Sequence, residues 1–198
     1  KSNLFELDLR LRPEGKNAPI AIDYKTYCNY LRTRASIWEK LALTKIRPVI
    51  GDKNLIKSVL KETESFVYDK ISIDAINAIM EMRKTIEKKT IKLNIDTLDI
   101  KNMEGGMVDI EFISQVIKII FGCNNKSIRN INTVKVLRYV MNNDLYSKNK
   151  TKYLIDTYYF YRNVEKHIAL NNLSERYIFK RNDEKNIGSI LGYKNNEE

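Results

Sequence analysis

The chain has 198 residues, of which 43% are hydrophobic and 30% are charged, a composition typical of a soluble globular protein and not of a disordered one. Lys and Arg outnumber Asp and Glu by 35 to 25, a net charge of +10, but the lysines are scattered, which favours a solvated surface over a nucleic-acid interface. No apolar run is long enough to cross a membrane, and the two cysteines match no disulfide or metal-ligand spacing, so we expect reduced thiols and a cytoplasmic protein.

The first predicted element is a β-strand over residues 5–12. Its apolar residues alternate with Glu6, Asp8, Arg10 and Arg12, which is the period of a half-buried strand. A carboxylate binds metal ions and a guanidinium binds phosphate, so a strand that carries both fits metal-dependent phosphoryl or nucleotidyl transfer. The alternative is an edge strand whose charges form a cross-strand ion ladder. Because the chain lacks an initiator Met and opens almost inside this strand, we expect it to be a piece of a longer polypeptide.

After this strand the pattern predicts a second short strand and then mainly helices. Residues 20–22 are the second strand, and a helix capped by Asp23 is expected to run to near Pro48, with Trp38 packed in the core. Further helices are predicted after Asp52 and near Ser72. The polar residues between 94 and 100 are interpreted as a connector.

The most apolar helix is predicted over residues 107–121, directly after the break at Gly105 and Gly106. A helix that is apolar on most sides belongs at the centre of a bundle. Asp109 and Glu111 lie in or next to its first turn, where carboxylates favour the positive end of the helix dipole. The alternative is that the glycine turn brings the backbone close to a ligand, with one of these carboxylates directed towards it.

Two more helices are predicted to complete the core, one capped by Asn132 or Thr133 and one that begins at Ser147. The tyrosines of the second helix are interpreted as packing residues, because no dense basic pattern accompanies them. His167 is the single histidine, and we expect it to be structural. Residues after Arg181 are expected to add one short helix.

Several segments, in order, resemble the glutamine synthetase adenylyltransferase family, whose members also remove the adenylyl group. They begin with Leu7-Asp8-Leu9-Arg10-Leu11-Arg12-Pro13 and continue with residues 38–39, 42–47, 51–52, 82–83, 99–101 and 105–112. The resemblance implies a mainly α chain: the end of a polymerase-β-like α/β nucleotidyltransferase domain over residues 1–68, followed by a helical bundle over residues 69–198.

The resemblance also implies the chemistry. AMP is transferred from ATP to a tyrosine of glutamine synthetase, or is removed by phosphorolysis, with Mg²⁺ or Mn²⁺ held by three carboxylates. Asp8 matches the third carboxylate and is the predicted catalytic and metal-binding residue, while Arg10 and Arg12 are interpreted as ATP phosphate contacts. The Gly-Ser motif and its two acids are absent, so we expect the chain to be inactive by itself. The full-length enzyme is expected to bind glutamine synthetase and a PII-type signalling protein.

Two other functions remain open from the sequence. Without two of the metal ligands, the chain fits a non-catalytic helical module for regulation or protein interaction. A basic nucleic-acid-binding bundle is supported by net charge alone, and steeply salt-dependent binding would indicate it.

Overall fold

The computed structural model describes residues 12–15, 18–89, 97–171 and 177–180, and this part of the chain is mainly α-helical, as predicted. Of the predicted strand over residues 5–12 only Arg12 is described, and it lies in a turn; the predicted helix after Arg181 lies outside the described residues. The described helices are α1 Tyr24–Thr33, α2 Ile37–Leu43, α3 Lys53–Val67, α4 Ile73–Lys89, α5 Met107–Gly122, α6 Thr133–Asn142 and α7 Lys148–Asn171. A short 3-10 turn, Lys126–Ile128, connects α5 to α6.

Side-chain caps begin three of these helices where the sequence predicts them. Asp23 accepts a hydrogen bond from the amide of Thr26 at 3.0 Å, and Asp52 accepts from the amides of Asn54 and Leu55 at 2.9 Å each. Asn132 caps α6 in the same way. Each carboxylate or amide oxygen satisfies amides that have no partner inside the first helical turn.

The prediction of one continuous helix from Asp23 to near Pro48 is wrong. The chain leaves the helical path at Arg34 and begins α2 after Ser36, whose amide donates to Glu39 Oε2 at 2.6 Å. This new helix start turns Trp38 outward, so that 40% of the side chain is exposed and it is not a core residue. Local polar contacts therefore override the apolar period that joined the two segments.

The expected strand at residues 20–22 and the expected connector at residues 94–100 also need correction. Residues 20–22, all described, form no strand, and Ile20 is 79% exposed. The predicted connector contains β1, Thr97–Asp99, which pairs antiparallel with β2, Ile178–Lys180, so that Leu98 faces Phe179. A partner some 80 residues away is not visible in the local pattern of a three-residue segment.

Helix α5 lies at the centre of the bundle, as its apolar sequence predicts. Its Ile119 packs in a cluster with three buried residues from α2, α3 and α4, namely Leu41, Val67 and Ile79. Its Ile110 packs in a second cluster with Val134, Leu137 and Ile155 of α6 and α7. The two halves of the chain thus share one central helix. Among the described residues, no helix is both long and apolar enough to span a membrane.

Candidate functional site

The predicted catalytic residue is not placed by the structure. Asp8 and Arg10 lie outside the described residues, whereas Arg12 lies in a described turn. Arg12 Nε donates to the carbonyl oxygen of Ala18 at 3.1 Å, and its own carbonyl accepts from the amide of Gly15 at 2.9 Å. The role of these residues in binding metal and phosphate stays a prediction. Within the part of the chain that the structure describes, no three His, Cys, Asp or Glu side chains lie together as a metal site would require.

A polar network lies around the N-terminal half of α5 instead. Lys45, just after α2, donates from Nζ to Glu111 Oε2 at 2.6 Å. The hydroxyl of Tyr158 on α7 donates to the other oxygen, Oε1, at 3.0 Å. Glu111 therefore connects three helices of the bundle through one carboxylate. Both groups of the ion pair are partly buried, with side chains 35% and 25% exposed.

Two residues before Glu111, Asp109 makes a second interhelical contact. Arg83 on α4 donates from Nε to Asp109 Oδ1 at 2.5 Å and from Nη2 to the carbonyl of Asn102 at 3.1 Å. The Arg83 side chain is only 6% exposed, and its Nη1 has no hydrogen-bond partner in the described ranges. The guanidinium carbon lies 6.0 Å from the ring centre of Phe112, which partly stabilises the buried charge.

The glycine turn before α5 is closed to anions, because its amides already have acceptors inside the protein. The amide of Gly105 donates to Asp109 Oδ2 at 2.7 Å. The amides of the next three residues donate to backbone carbonyls between Ile100 and Met103 at 2.9 to 3.0 Å. A helix N-terminus binds phosphate only through amides that are still available. The structure thus favours the structural interpretation of Asp109 and Glu111 over the ligand-directed one.

Gly106 is needed for space and not for an unusual backbone angle. A Cβ atom built on this residue would lie 2.8 Å from the carbonyl oxygen of Met103 and 2.9 Å from that of Lys101. Backbone oxygens at this distance cannot move aside easily. The turn can therefore pack against the start of α5 only with glycine at this position.

Lys118, in the middle of α5, carries the most deeply buried cation of this region. Its side chain is 1% exposed, and its Nζ donates to the carbonyl of Thr44 at the end of α2 at 2.9 Å. Burial, with a smaller contribution from the positive charge of Lys45, lowers the pKa of Lys118 to about 8. A cation at a helix C-terminus is favoured by the helix dipole, which offsets part of the desolvation.

Tyr158 shows the opposite shift. Burial, followed by the negative charge of Glu111, raises the pKa of Tyr158 to about 12. The phenol stays protonated at neutral pH and acts as a hydrogen-bond donor to Glu111. The arrangement holds charges in place and offers no activated nucleophile among these residues.

Sequence reasoning missed this network. It assigned Glu111 to the helix terminus or to a ligand at the glycine turn, and it gave Lys45, Lys118 and Tyr158 no polar role. One available signal was Lys118 itself, a lone cation among isoleucines and valine in an otherwise apolar helix, which needs an acceptor when buried.

Two family models match the chain. The model described as GlnD PII-uridylyltransferase matches residues 77–198, which is more than half of the chain. The model described as glutamate-ammonia ligase adenylyltransferase matches residues 1–62.

Curated relatives named bifunctional glutamine synthetase adenylyltransferase/adenylyl-removing enzyme match between about half and nearly all of the chain. The relative from Bartonella quintana is 40% identical over 57% of this chain, and the one from Acinetobacter baylyi is 32% identical over 85%. The relative from Brucella melitensis is 28% identical over 96% of this chain. The matched parts are 11%, 18% and 20% of those three proteins, so the chain spans a fifth or less of their length.

Proposed function

We propose that this chain, which belongs to the GlnD PII-uridylyltransferase family over residues 77–198, is part of a nucleotidyltransferase that modifies glutamine synthetase. The reaction is the transfer of AMP from ATP to a tyrosine of glutamine synthetase, or the removal of that AMP by phosphorolysis. The names of the relatives from Bartonella, Acinetobacter and Brucella support both directions. The match of residues 1–62 to an adenylyltransferase model supports the first.

The observation that carries this proposal is that segments with family resemblance, far apart in sequence, meet in the structure. Lys45 of the segment 42–47 pairs with Glu111 of the segment 105–112 at 2.6 Å. Arg83 of the segment 82–83 pairs with Asp109 at 2.5 Å. If the short motifs resembled the family by chance, there would be no reason for their charged residues to form ion pairs with each other in the folded chain. The contacts therefore support a shared fold for the bundle.

The site proposed for the chemistry is the strand that precedes the bundle. Asp8 would hold Mg²⁺ or Mn²⁺ together with carboxylates that this chain does not contain, and the bound metal would supply charge neutralisation at the phosphate oxygens. Arg10 and Arg12 bind the triphosphate of ATP through charge-assisted hydrogen bonds. Arg12 Nε donates to the carbonyl of Ala18, which restricts the orientation of the guanidinium.

The domain boundary at residue 68 is also part of the proposal. The two family models support it, since one ends at residue 62 and the other begins at residue 77. The two parts nevertheless share core residues: Leu41 and Val67 from the first part pack in one cluster with Ile79 and Ile119 from the second. We infer that the bundle is a rigid support for the end of the catalytic domain.

The partners and location follow from the proposed reaction. Glutamine synthetase is the protein substrate, and the description of the matching PII-uridylyltransferase model supports a PII-type protein as a further partner of the whole enzyme. ATP is available in the cytoplasm, so we place the protein there.

The experiment measures AMP transfer to glutamine synthetase with labelled ATP and Mg²⁺, and phosphorolytic removal of AMP from the adenylylated enzyme. It compares the 198-residue chain with a version extended upstream, and each with Asp8→Ala. We expect transfer only by the extended chain and a loss of at least about 100-fold on Asp8→Ala, as for the removal of one transition-state contact. Asp156→Ala, the same change at an exposed carboxylate on α7, is the control and should retain full activity.

Two results would contradict this proposal, the first for the role of Asp8 and the second for the function as a whole. If the extended chain transfers AMP equally well with Asp8→Ala, Asp8 belongs to an edge-strand ion ladder and not to the metal site. If the extended chain neither transfers nor removes AMP, the helical bundle is better interpreted as a non-catalytic interaction module.

A further inference from the structure

A surface groove of about 730 Å³ lies between α5, α6 and α7, away from the polar network at the start of α5. Its walls are mainly apolar, and they include Ile113, Ile117, Leu137, Val140, Tyr146 and Leu154. Ile113 is 40% exposed and Tyr146 is 53% exposed. Apolar side chains grouped in a concave site of this size are typical of a binding surface.

The apolar surface continues along α5 beyond the groove. Ile113, Ile117, Ile120 and Phe121 follow one another at helical spacings of four, three and one residues, which place them on one face of the helix. Ile120 and Phe121 are 39% and 40% exposed. This stripe spans about two helical turns, which is the length that a docked amphipathic helix contacts through its i, i+3, i+4 and i+7 positions.

Lys150 lines the groove, and the charged residues of α6 and of the first turns of α7 are mostly positive. Helix α6 contains Lys135 and Arg138 and no acidic residue. The first nine residues of α7 contain three lysines, Lys148, Lys150 and Lys152, and one acid, Asp156. The other acidic residues of α5 and α7 are already paired with cations, namely Asp109 with Arg83, Glu111 with Lys45 and Glu165 with Arg162.

The three lysines lie where a helix disfavours them. The N-terminal end of α7 carries the positive end of the helix dipole, and its first turn has no acidic residue. Lys148 pairs with Asp144 at 3.1 Å, and Lys150 lies above the ring of Tyr146, with Nζ 6.0 Å from the ring centre. Cations concentrated at this position destabilise the isolated helix and are stabilised by a partner that brings negative charge.

We propose that this groove docks an amphipathic helix with an acidic polar face, supplied by another protein chain. The apolar stripe of the partner fills the groove along Ile113 and Ile117, and its carboxylates face Lys150 and the neighbouring lysines. Nucleic acid fits the positive charge but not the walls, because phosphate groups are not stabilised against isoleucine, leucine and valine side chains. The proposal does not depend on the nucleotidyltransferase function.

The test uses two fluorescein-labelled 18-residue helical peptides with the same leucine positions at i, i+3, i+4 and i+7. One carries glutamate at the polar positions and the other carries lysine. Fluorescence anisotropy with the 198-residue chain should give a Kd for the acidic peptide at least about tenfold lower than for the basic one. Added salt should weaken the acidic complex.

Matched variants locate the binding site. Lys150→Glu should raise the Kd of the acidic peptide about fivefold, since it reverses one charge at the rim. Lys57→Glu makes the same change on α3, at an exposed position outside the groove, and should leave the Kd nearly unchanged. Circular dichroism of both variants is the control that the helical fold is kept.

Five outcomes would overturn the proposal. They are absence of binding by both peptides, equal binding by both, and equal weakening by Lys150→Glu and Lys57→Glu, which would indicate bulk charge alone. The fourth is displacement of the acidic peptide by a single-stranded oligonucleotide, which would assign the surface to nucleic acid. Concentration-dependent dimers in sedimentation that Ile113→Ser abolishes would assign the groove to a second copy of the chain, which likewise rejects it.

Discussion

The two ends of α5 differ in the contacts that they make. At its N-terminal end, Asp109 and Glu111 each bind a cation from another helix, and the amides of the preceding turn all have acceptors. From its middle to its C-terminal end, Ile113, Ile120 and Phe121 are each about two-fifths exposed. One end is fixed by directional contacts, and the other presents an apolar surface.

The difference indicates which residues fix the packing of the helices and which residues remain available to bind a partner. Buried charge pairs have strict geometry, so they set how α2, α4 and α7 meet α5. Apolar contacts are non-directional and add little to that geometry. We therefore expect substitutions at the polar end to change folding stability strongly and substitutions at the apolar end to change binding.

The largest effect is expected at Arg83. Arg83→Leu keeps an apolar stem in place but leaves the Asp109 carboxylate partly buried without its cation. Breaking a buried ion pair from one side costs about 3 to 5 kcal/mol of unfolding free energy, measured by urea denaturation followed by circular dichroism. Lys84→Met, the next residue on the same helix, removes an exposed pair with Glu81 and should leave the urea midpoint unchanged. Similar midpoints for both variants would mean that the contact between Arg83 and Asp109 contributes no more than a surface pair.

At Lys118, the cost of burying a charge can be measured through the pH dependence of the folding stability. The pKa of Lys118 is about 8 in the folded protein, below its ordinary value of 10.5, so the unfolded chain binds more protons between these two pH values. Stability then rises with pH over this window, while below pH 8 the burial penalty is present in full. At about 1.4 kcal/mol per pKa unit, the gain is on the order of 3 kcal/mol.

Lys118→Met removes that titration and keeps the length of the side chain. The variant should be at least as stable as the native chain at pH 7 and should lose this advantage by pH 10, as measured by urea midpoints at both pH values. Lys57→Met, at an exposed lysine, controls for general charge effects. A difference between native and Lys118→Met that does not change with pH would show that Lys118 is accessible to water in both states.

A smaller effect is expected from the hydrogen bond between Tyr158 and Glu111. Tyr158→Phe keeps the ring and removes the donor, which should cost about 1 kcal/mol. Glu111→Gln should lower the pKa of Tyr158 from about 12 only in part, because burial is the larger cause of the shift. Tyrosine-labelled NMR, with Tyr158→Phe used for assignment, measures this pKa directly. A return to the ordinary value of 10 would mean that the carboxylate, and not burial, controls the phenol.

The sequence predicts the bundle well and the contacts inside it poorly. The apolar period of residues 107–121 locates the central helix, and Asp23, Asp52 and Asn132 locate three helix starts, because these signals are local. The split between α1 and α2 was missed because the contact between Ser36 and Glu39 competes with an apolar period that continues through it. The pairing of Lys45 with Glu111 joins residues 66 positions apart, so only the folded chain reveals it. The predicted roles of Asp8 and Arg10 stay predictions.

The smallest effect on stability is expected at the exposed apolar residues of α5. This effect should contrast most strongly with the one at Arg83. Ile113 is 40% exposed on the groove, so Ile113→Ser removes apolar surface that water already reaches in the folded chain. We expect a loss of under about 1 kcal/mol in urea denaturation. The same variant should raise the Kd of the acidic helical peptide about tenfold, because binding buries the isoleucine fully. A large loss of stability with unchanged peptide affinity would mean that Ile113 supports the core, and the two ends of α5 would then not differ in the way that their contacts indicate.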